Sequence, residues 1–334
     1  MKTMKLVFAV IGLMLLFGCI GGEQPNPTQN ESKNITPPVK IIVGEQQNQT
    51  GTKNLTEETP SENQTKGADY FYNPDQIFGI FFMDIAENGS QTDAILVKKG
   101  DLDILIDAGS KEKGGKVVDF LHAHGVDDIE VLISTSADPQ RYGGIEAVAE
   151  NFGIEEFWWS GDGSNSEYVK IVEQMGEKAR IVKDGFSTNL NGMKFDLINP
   201  PQKPFGDFNN DAIVTRITDR NFSILLTSGI QTGAQGLLTN QKANQIKNQI
   251  ITAPYYGVGA GTSNIGIFLI TAKPQVMIIT GSSDDSAKNG GSREPYKKLM
   301  KQYGIKWYET YVNGTIRVSS DGMTYDIQSL GKGQ

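Results

Sequence analysis

A four-layer α/β sandwich of the α+β kind, two sheets face to face with helices outside, is the fold class this sequence predicts. Three observations predict it. An antiparallel meander opens the folded part of the chain, buried strands then alternate with helices, and a second half repeats that rhythm and closes on a hairpin. Each half makes a sheet with one face to bury against the other and one face to cover with helices.

The strands and helices follow in order. Phe78–Ile85 is a nearly continuous apolar run and reads as a buried strand. Asp93–Lys98 alternates, Lys99-Gly100 makes a turn, and Asp103–Asp107 returns to Ala108-Gly109. Lys113–His124 places Val117, Val118, Phe120 and Leu121 at helical spacing, with Gly125 as the stop. Glu130–Ser134 is a buried strand, Gly144–Asn151 a short helix, Glu156–Ser160 a strand, Tyr168–Lys178 a helix and Arg180–Val182 a strand.

Met193–Asn199, Ala212–Thr218 and Phe222–Thr227 open the second half as strands, with Thr218-Asp219-Arg220-Asn221 turning between the last two. A helix, strand Gln249–Thr252, helix Ile265–Thr271, strand Gln275–Thr280 and helix Pro295–Gln302 follow. Thr315–Ser319 and Met323–Ile327 form the closing hairpin. No linker interrupts this stretch, so residues 68–334 read as one domain.

The N-terminus is of another kind. Lys2 and Lys5 precede an apolar run, Leu6 to Gly18, too short for an ordinary spanning helix. It ends in Leu16-Phe17-Gly18-Cys19, which resembles a lipobox. The resemblance implies a signal peptide over 1–18, cleavage before Cys19 and lipid on its thiol, anchoring the protein to the outer face of the cell membrane. An uncleaved signal-anchor is the plainer alternative, and it leaves the domain on the same side. Residues 19–67 are rich in Asn, Gln, Thr and Pro and too polar to offset their ordering entropy, so they read as a disordered linker. Sequons at Asn30, Asn34, Asn48, Asn54 and Asn63, with Asn88, Asn221 and Asn313 in the domain, mark candidate glycosylation sites and suggest an archaeal envelope.

Composition narrows the function. The chain of 334 residues has 31 basic and 39 acidic side chains, a formal charge of −8. That balance disfavours nucleic acid as a partner. One cysteine excludes an internal disulfide, and with two histidines it leaves few transition-metal ligands.

Several segments nevertheless carry a resemblance. The stretch 81–110 (FFMDIAENGSQTDAILVKKGDLDILIDAGS), the Gly-Gly turn at Gly143-Gly144, the paired strands of 210–227, the 249–257 run QIITAPYYG and the C-terminal 299–322 occur in one order. They resemble the metallo-β-lactamase-like fold, and specifically the C-terminal domain of competence (ComEC-type) DNA-uptake proteins, over essentially all of 78–327. The resemblance implies a loop after the first buried strand reading Thr-His-X-His/Asp-X-Asp-His-X-Gly-Gly, whose side chains hold two cations.

Here that loop is Thr135-Ser136-Ala137-Asp138-Pro139-Gln140-Arg141-Tyr142-Gly143-Gly144. Ser136 replaces the first His, Gln140 an Asp and Arg141 the next His, while Asp138 keeps an acid. The Leu-Leu-Thr-Gly-Asp of the family becomes Leu225-Leu226-Thr227-Ser228-Gly229, and its His-His-Gly becomes Tyr255-Tyr256-Gly257. A permanently charged guanidinium repels a cation, so no metal is expected, zinc or manganese being the alternative. Arg141 is expected to stand in for the cation by pairing with Asp138. Tyr255 and Tyr256 are expected to fill the remaining volume.

Two other acidic or histidine-bearing segments read as decoys. His122 and His124 sit two apart at a helix end and do not share a face, and Asp284-Asp285 reads as a solvated loop. Three functions stay open, in this order. The first is a non-catalytic binding or scaffold module for a surface ligand or protein, its pocket lined by Asp138, Arg141, Tyr142, Tyr255 and Tyr256. The second is a metal-dependent phosphodiesterase, and the third a DNA receptor without cutting.

Overall fold

The computed structural model describes residues 77–87, 91–259, 266–283 and 292–332, all within one compact unit. The signal segment, Cys19, the linker with its five sequons, the boundary at residue 68, Asn88 and Asp284-Asp285 lie outside the described residues.

The first sheet begins as the predicted meander: β1 (Phe78–Phe82), β2 (Ile95–Lys99) and β3 (Leu102–Ile106), each antiparallel to the next. Helix α1 (Gly114–Ala123) crosses over to β4 (Asp128–Ser134), parallel to β3. A single turn α2 (Pro139–Tyr142) and α3 (Ile145–Asn151) lead to β5 (Gly153–Trp159). Helix α4 (Ser166–Met175) leads to the edge strand β6 (Ala179–Ile181). Helix α4 starts on Asn165, whose side-chain oxygen accepts from the Glu167 and Tyr168 amides, an N-cap.

The second sheet repeats the plan. An antiparallel run of β7 (Ser187–Leu190), β8 (Met193–Asn199), β9 (Val214–Asp219) and β10 (Phe222–Leu226) comes first. Helix α5 (Thr232–Gln241), β11 (Ile250–Thr252), α6 (Gly266–Ala272), β12 (Val276–Ile279), α7 (Glu294–Gln302) and β13 (Lys306–Glu309) follow, with β11 to β13 parallel. A single turn α8 (Thr310–Asn313) precedes the closing hairpin of β14 (Ile316–Ser320) and β15 (Tyr325–Ser329). That hairpin returns to the first sheet, where Ile316 lies opposite Phe82. The strand orders are therefore β15-β14-β1-β2-β3-β4-β5-β6 and β13-β12-β11-β10-β9-β8-β7.

Strand periodicity explains the layers, because alternate residues point to opposite faces. Along β4, Val131 and Ile133 join Phe78, Ile80, Phe195, Ile217, Ile224 and Ile278 in the core between the sheets. Leu132, on the other face, packs with Val117, Leu121, Ile145 and Ile171 of α1, α3 and α4. Leu225 and Ile251 pack outward with α5 and α6, and Met277 with Tyr296 and Met300 of α7. Each fully buried aliphatic or phenyl side chain contributes about 1.5–3 kcal/mol of burial. This is the predicted four-layer sandwich. Strands β7 and β13 went unread in the sequence because they lie at sheet edges and carry polar residues on both faces. Among the described residues no helix is long and apolar enough to cross a membrane.

Candidate functional site

The loops after β3, β4, β10 and β11 meet at one place. The turn after β4 is built first by its backbone. Asp138 caps α2 by accepting from the Gln140 amide at 2.9 Å, and Pro139 occupies the first helical position. The Gly-Gly turn follows for a steric reason. A Cβ on Gly144 would lie 2.1 Å from the Ala108 carbonyl oxygen, and one on Gly143 2.5 Å from the Lys111 nitrogen. With both glycines bare, the turn packs onto Ala108–Lys111, and the Ala108 amide donates to the Arg141 carbonyl at 2.8 Å. Arg141 is thereby directed into the interior, where it is 1% exposed.

Its guanidinium meets two carboxylates. Nη1 donates to Asp93 Oδ2 at 2.8 Å and to Asp107 Oδ2 at 3.2 Å. Asp107, at the end of β3, also accepts from the Thr135 amide at 2.8 Å and the Thr135 hydroxyl at 2.6 Å. The Ser228 hydroxyl of the second sheet donates to Thr135 Oγ1 at 2.6 Å, so the network spans both sheets. The guanidinium lies over the Tyr256 ring, 4.7 Å from its centroid. Its Nε and Nη2 edge has no hydrogen-bond partner and faces Gly229.

Burial dominates the titration of the two carboxylates. It raises Asp93 above the usual carboxylate range and pushes Asp107 up to about 6, against the opposing pull of Arg141. For Arg141 itself, burial disfavours the charge, but Tyr256, Asp93 and Asp107 outweigh it and hold the guanidinium protonated. The backbone is strained at the same place. Asp107, Ser228, Tyr255 and Tyr256 have φ of 58°, 52°, 44° and 58°. For non-glycine residues this left-handed region costs on the order of 1–3 kcal/mol each, and such strain gathers at functional sites.

A second buried guanidinium holds the tyrosine loop. Arg293, also 1% exposed, donates from Nε to the Tyr256 carbonyl at 2.7 Å and from Nη2 to Gln91 Oε1 at 3.1 Å. Sequence reasoning missed Arg293, Asp93 and Asp107. Asp107 and Asp93 were visible as single acids at the ends of apolar strands. Nothing local marks Arg293, which follows a stretch outside the described residues.

The expected residues divide. Arg141 does supply the buried positive charge, but its partners are Asp93 and Asp107 and not Asp138. The Asp138 carboxylate is occupied in capping α2, and the turn carries it to the half-buried rim. Tyr256 fills volume beneath Arg141, whereas Tyr255 is half-buried at the rim. Asp138 and Asp207 lie near enough to Tyr255 to reinforce the rise that burial gives its phenol. Ser136 is 1% exposed with an unpartnered hydroxyl, and the Gln140 carbonyl accepts from Thr92 at 2.8 Å. Gly229 sits against Arg141, at 3.6 Å from Nε to where its Cβ would be.

Tyr142 does not line this pocket. It packs in the outer core with its ring 4.9 Å from Tyr168, and it borders a separate groove of about 340 Å³ outside α2. A further groove, of about 380 Å³, lies beside α1 and includes Phe120 and Asp84.

These residues do not fit a divalent cation. Among the described residues no three His, Cys, Asp or Glu side chains converge as ligands. The carboxylates that do converge already share a guanidinium, which at about 4 Å would repel a dication by roughly 8 kcal/mol at an effective dielectric of about 20. His122 and His124 diverge as expected: one ring meets Phe152 at 4.6 Å, the other stacks on Phe120 at 3.9 Å. Of the two described sequons, Asn221 is exposed, while Asn313 accepts from the Glu309 amide at 2.9 Å.

No protein-family model matches the chain. It is similar to ComE operon protein 3 of Bacillus subtilis, 22% identical over 212 residues that cover 61% of this chain and 26% of that protein. It is also similar to the uncharacterised protein YcaI of Escherichia coli, 21% identical over 245 residues, 71% of this chain and 30% of that one. The chain thus spans less than a third of the length of these relatives. Among solved structures, the metallo-β-lactamase fold protein YhfI of Bacillus subtilis aligns with 72% of this chain and 99% of its own, at 8% identity and a TM-score of 0.48. The fold is metallo-β-lactamase-like, and the similarity to ComE operon protein 3 agrees with the resemblance read from the sequence.

Proposed function

We propose that this protein is a non-catalytic binding or scaffold module, carried on the outer face of the cell membrane by lipid at Cys19 and a glycosylated linker. One observation supports the non-catalytic reading above all others: the Arg141 guanidinium, buried between Asp93 and Asp107, takes the seat where the ComEC-like resemblance implies a cation. Metal-assisted hydrolysis needs an ion that both activates water and polarises the scissile group. A guanidinium supplies charge but has no open coordination position and does not generate hydroxide.

The test uses the full chain, loaded with zinc or manganese and then desalted. The expected metal content is far below one ion per chain, with no turnover of bis-p-nitrophenyl phosphate or single-stranded DNA. Stoichiometric metal together with turnover lost in Asp138→Ala would restore the phosphodiesterase reading. Anchoring is tested separately: Cys19→Ala is expected to release the protein from the membrane fraction, and intact mass of the native protein reads both lipid and glycan.

A further inference from the structure

The groove beside α1 shares no residue with the Arg141 network. Its volume of about 380 Å³ is that of a small-molecule site. The chain leaving β1 supplies Met83, Asp84 and Ile85 to it, and α1 supplies Lys116, Asp119, Phe120 and Ala123. The α1 residues fall three or four apart and so share one face of the helix. The opposite wall is pinned by its backbone. The Met83 amide donates to the Ala94 carbonyl at 3.1 Å, just before β2, and the Asp84 amide donates to Thr315 Oγ1 at 3.2 Å, just before β14. Met83, Ile85 and Phe120 are buried, and His124 stacks on the Phe120 ring at 3.9 Å. The apolar part of the groove is therefore fixed in advance, which lowers the ordering cost of binding.

Against this apolar ground stands a carboxylate without a partner. Asp84 is half-buried, and its carboxylate takes no hydrogen bond and no ion pair among the described residues. Burial raises its carboxyl above the ordinary value, as expected of an anion partly stripped of water. The cations near it are engaged elsewhere. Lys116 pairs with Glu87, as does Lys113, and the Lys332 ammonium lies over the Tyr311 ring, 4.4 Å from its centroid. Asp119 is exposed and likewise has no ion pair among the described residues.

We infer that this groove binds a small arylalkylamine, its ring against Met83, Ile85 and Phe120 and its primary ammonium at Asp84, with Asp119 adding negative charge at the rim. The apolar side chains take the aromatic body. The ammonium gives Asp84 the counter-charge it lacks, through a charge-assisted hydrogen bond about twice as strong as a neutral one. An anionic ligand meets two carboxylates instead. A divalent ion meets too few ligands, since among the described residues no three His, Cys, Asp or Glu side chains converge. The inference goes beyond the non-catalytic reading and does not depend on it.

The experiment titrates the full chain by calorimetry and saturation-transfer NMR with phenethylamine and tryptamine, and with the neutral phenylethanol and the anionic phenylpropionate. At least one amine is expected to bind saturably, phenylethanol about tenfold more weakly, and phenylpropionate not at all. Asp84→Asn, which removes the charge and keeps the shape, is expected to weaken the amine about tenfold or more and to leave phenylethanol unchanged. Ala123→Phe, at an exposed position of α1, is expected to fill the groove and abolish amine binding, with an unfolding midpoint close to that of the wild type. Absence of saturable binding by either amine overturns the inference. So does undiminished amine binding by Asp84→Asn or by Ala123→Phe, or phenylpropionate binding as tightly as the amines.

Discussion

Arg141→Met isolates the charge that replaces the cation. Methionine keeps most of the length and apolar stem of arginine and packs adaptably, so the main loss is the guanidinium. Asp93 and Asp107 then remain buried with no counter-charge, and removing one partner of such a group costs about 3–5 kcal/mol. With a urea dependence near 3 kcal/mol per molar, toward the upper end for single domains, the midpoint should fall by roughly 1–1.7 M at pH 8. The sign of the pH dependence is fixed by the direction of the shifts. Asp107 is already raised to about 6 in the wild type, mainly by burial, and Asp93 is raised for the same reason. Removing Arg141 raises both further, so between about pH 4, the unfolded value, and the folded value the native state holds protons that the unfolded chain releases. Stability therefore falls as pH rises through that window, and the deficit of the variant should be largest at pH 8 and shrink toward pH 5. Paired urea titrations at the two pH values test this. A deficit that is absent, or equal at both, would show that the guanidinium does not neutralise these carboxylates.

Three further outcomes follow from the same geometry. Asp107→Asn should reduce the wild-type fall in stability between about pH 4 and pH 6, since one of the raised carboxylates responsible for it no longer titrates; circular-dichroism melts across that range read the slope. Gly144→Ala drives a Cβ to 2.1 Å from the Ala108 carbonyl oxygen, a backbone contact with no side chain to yield; a loss of about 3 kcal/mol or more, or failure to fold, is expected in expression and melting trials. Tyr256→Phe removes a hydroxyl that has no partner and should change stability by less than about 1 kcal/mol, whereas Tyr256→Leu, which removes the ring face beneath Arg141, should cost more than Tyr256→Phe by about 1–2 kcal/mol in denaturant titrations.

The layered fold was legible because its signals are local. Alternation in Asp93–Lys98 and helical spacing in Lys113–His124 fall within a residue or two of β2 and α1. Strand β7 was not legible because an edge strand with exposed Ser187 and Asn189 has no apolar face to announce it. At the site, the exchange of His for Arg141 was legible, but its partners were not. Sequence proximity favoured Asp138, three residues away on the same turn. The α2 turn instead sends the two side chains in different directions, and the contacts to Asp93 and Asp107 are made across 48 and 34 residues of chain.

Gly229 and Arg141 are best understood as two halves of one replacement. The resemblance implies a carboxylate at 229 and an imidazole at 141, both directed at a cation. Here a larger, charged side chain enters from one side while the other side gives up its side chain entirely, and the Arg141 Nε and Nη2 atoms come within 3.6 and 3.9 Å of the missing Cβ. Asp107, Ser228, Tyr255 and Tyr256 hold strained φ values around this pair. If volume and charge moved together, the two positions must be energetically coupled. Gly229→Leu should cost about 1–3 kcal/mol in the wild type by overpacking against the guanidinium. In an Arg141→Ala background the same leucine enters the vacated space and should cost at least about 1 kcal/mol less. A denaturant double-mutant cycle measures the difference. Strict additivity would mean that the glycine is not there to admit the arginine, and the two substitutions would then have to be explained separately.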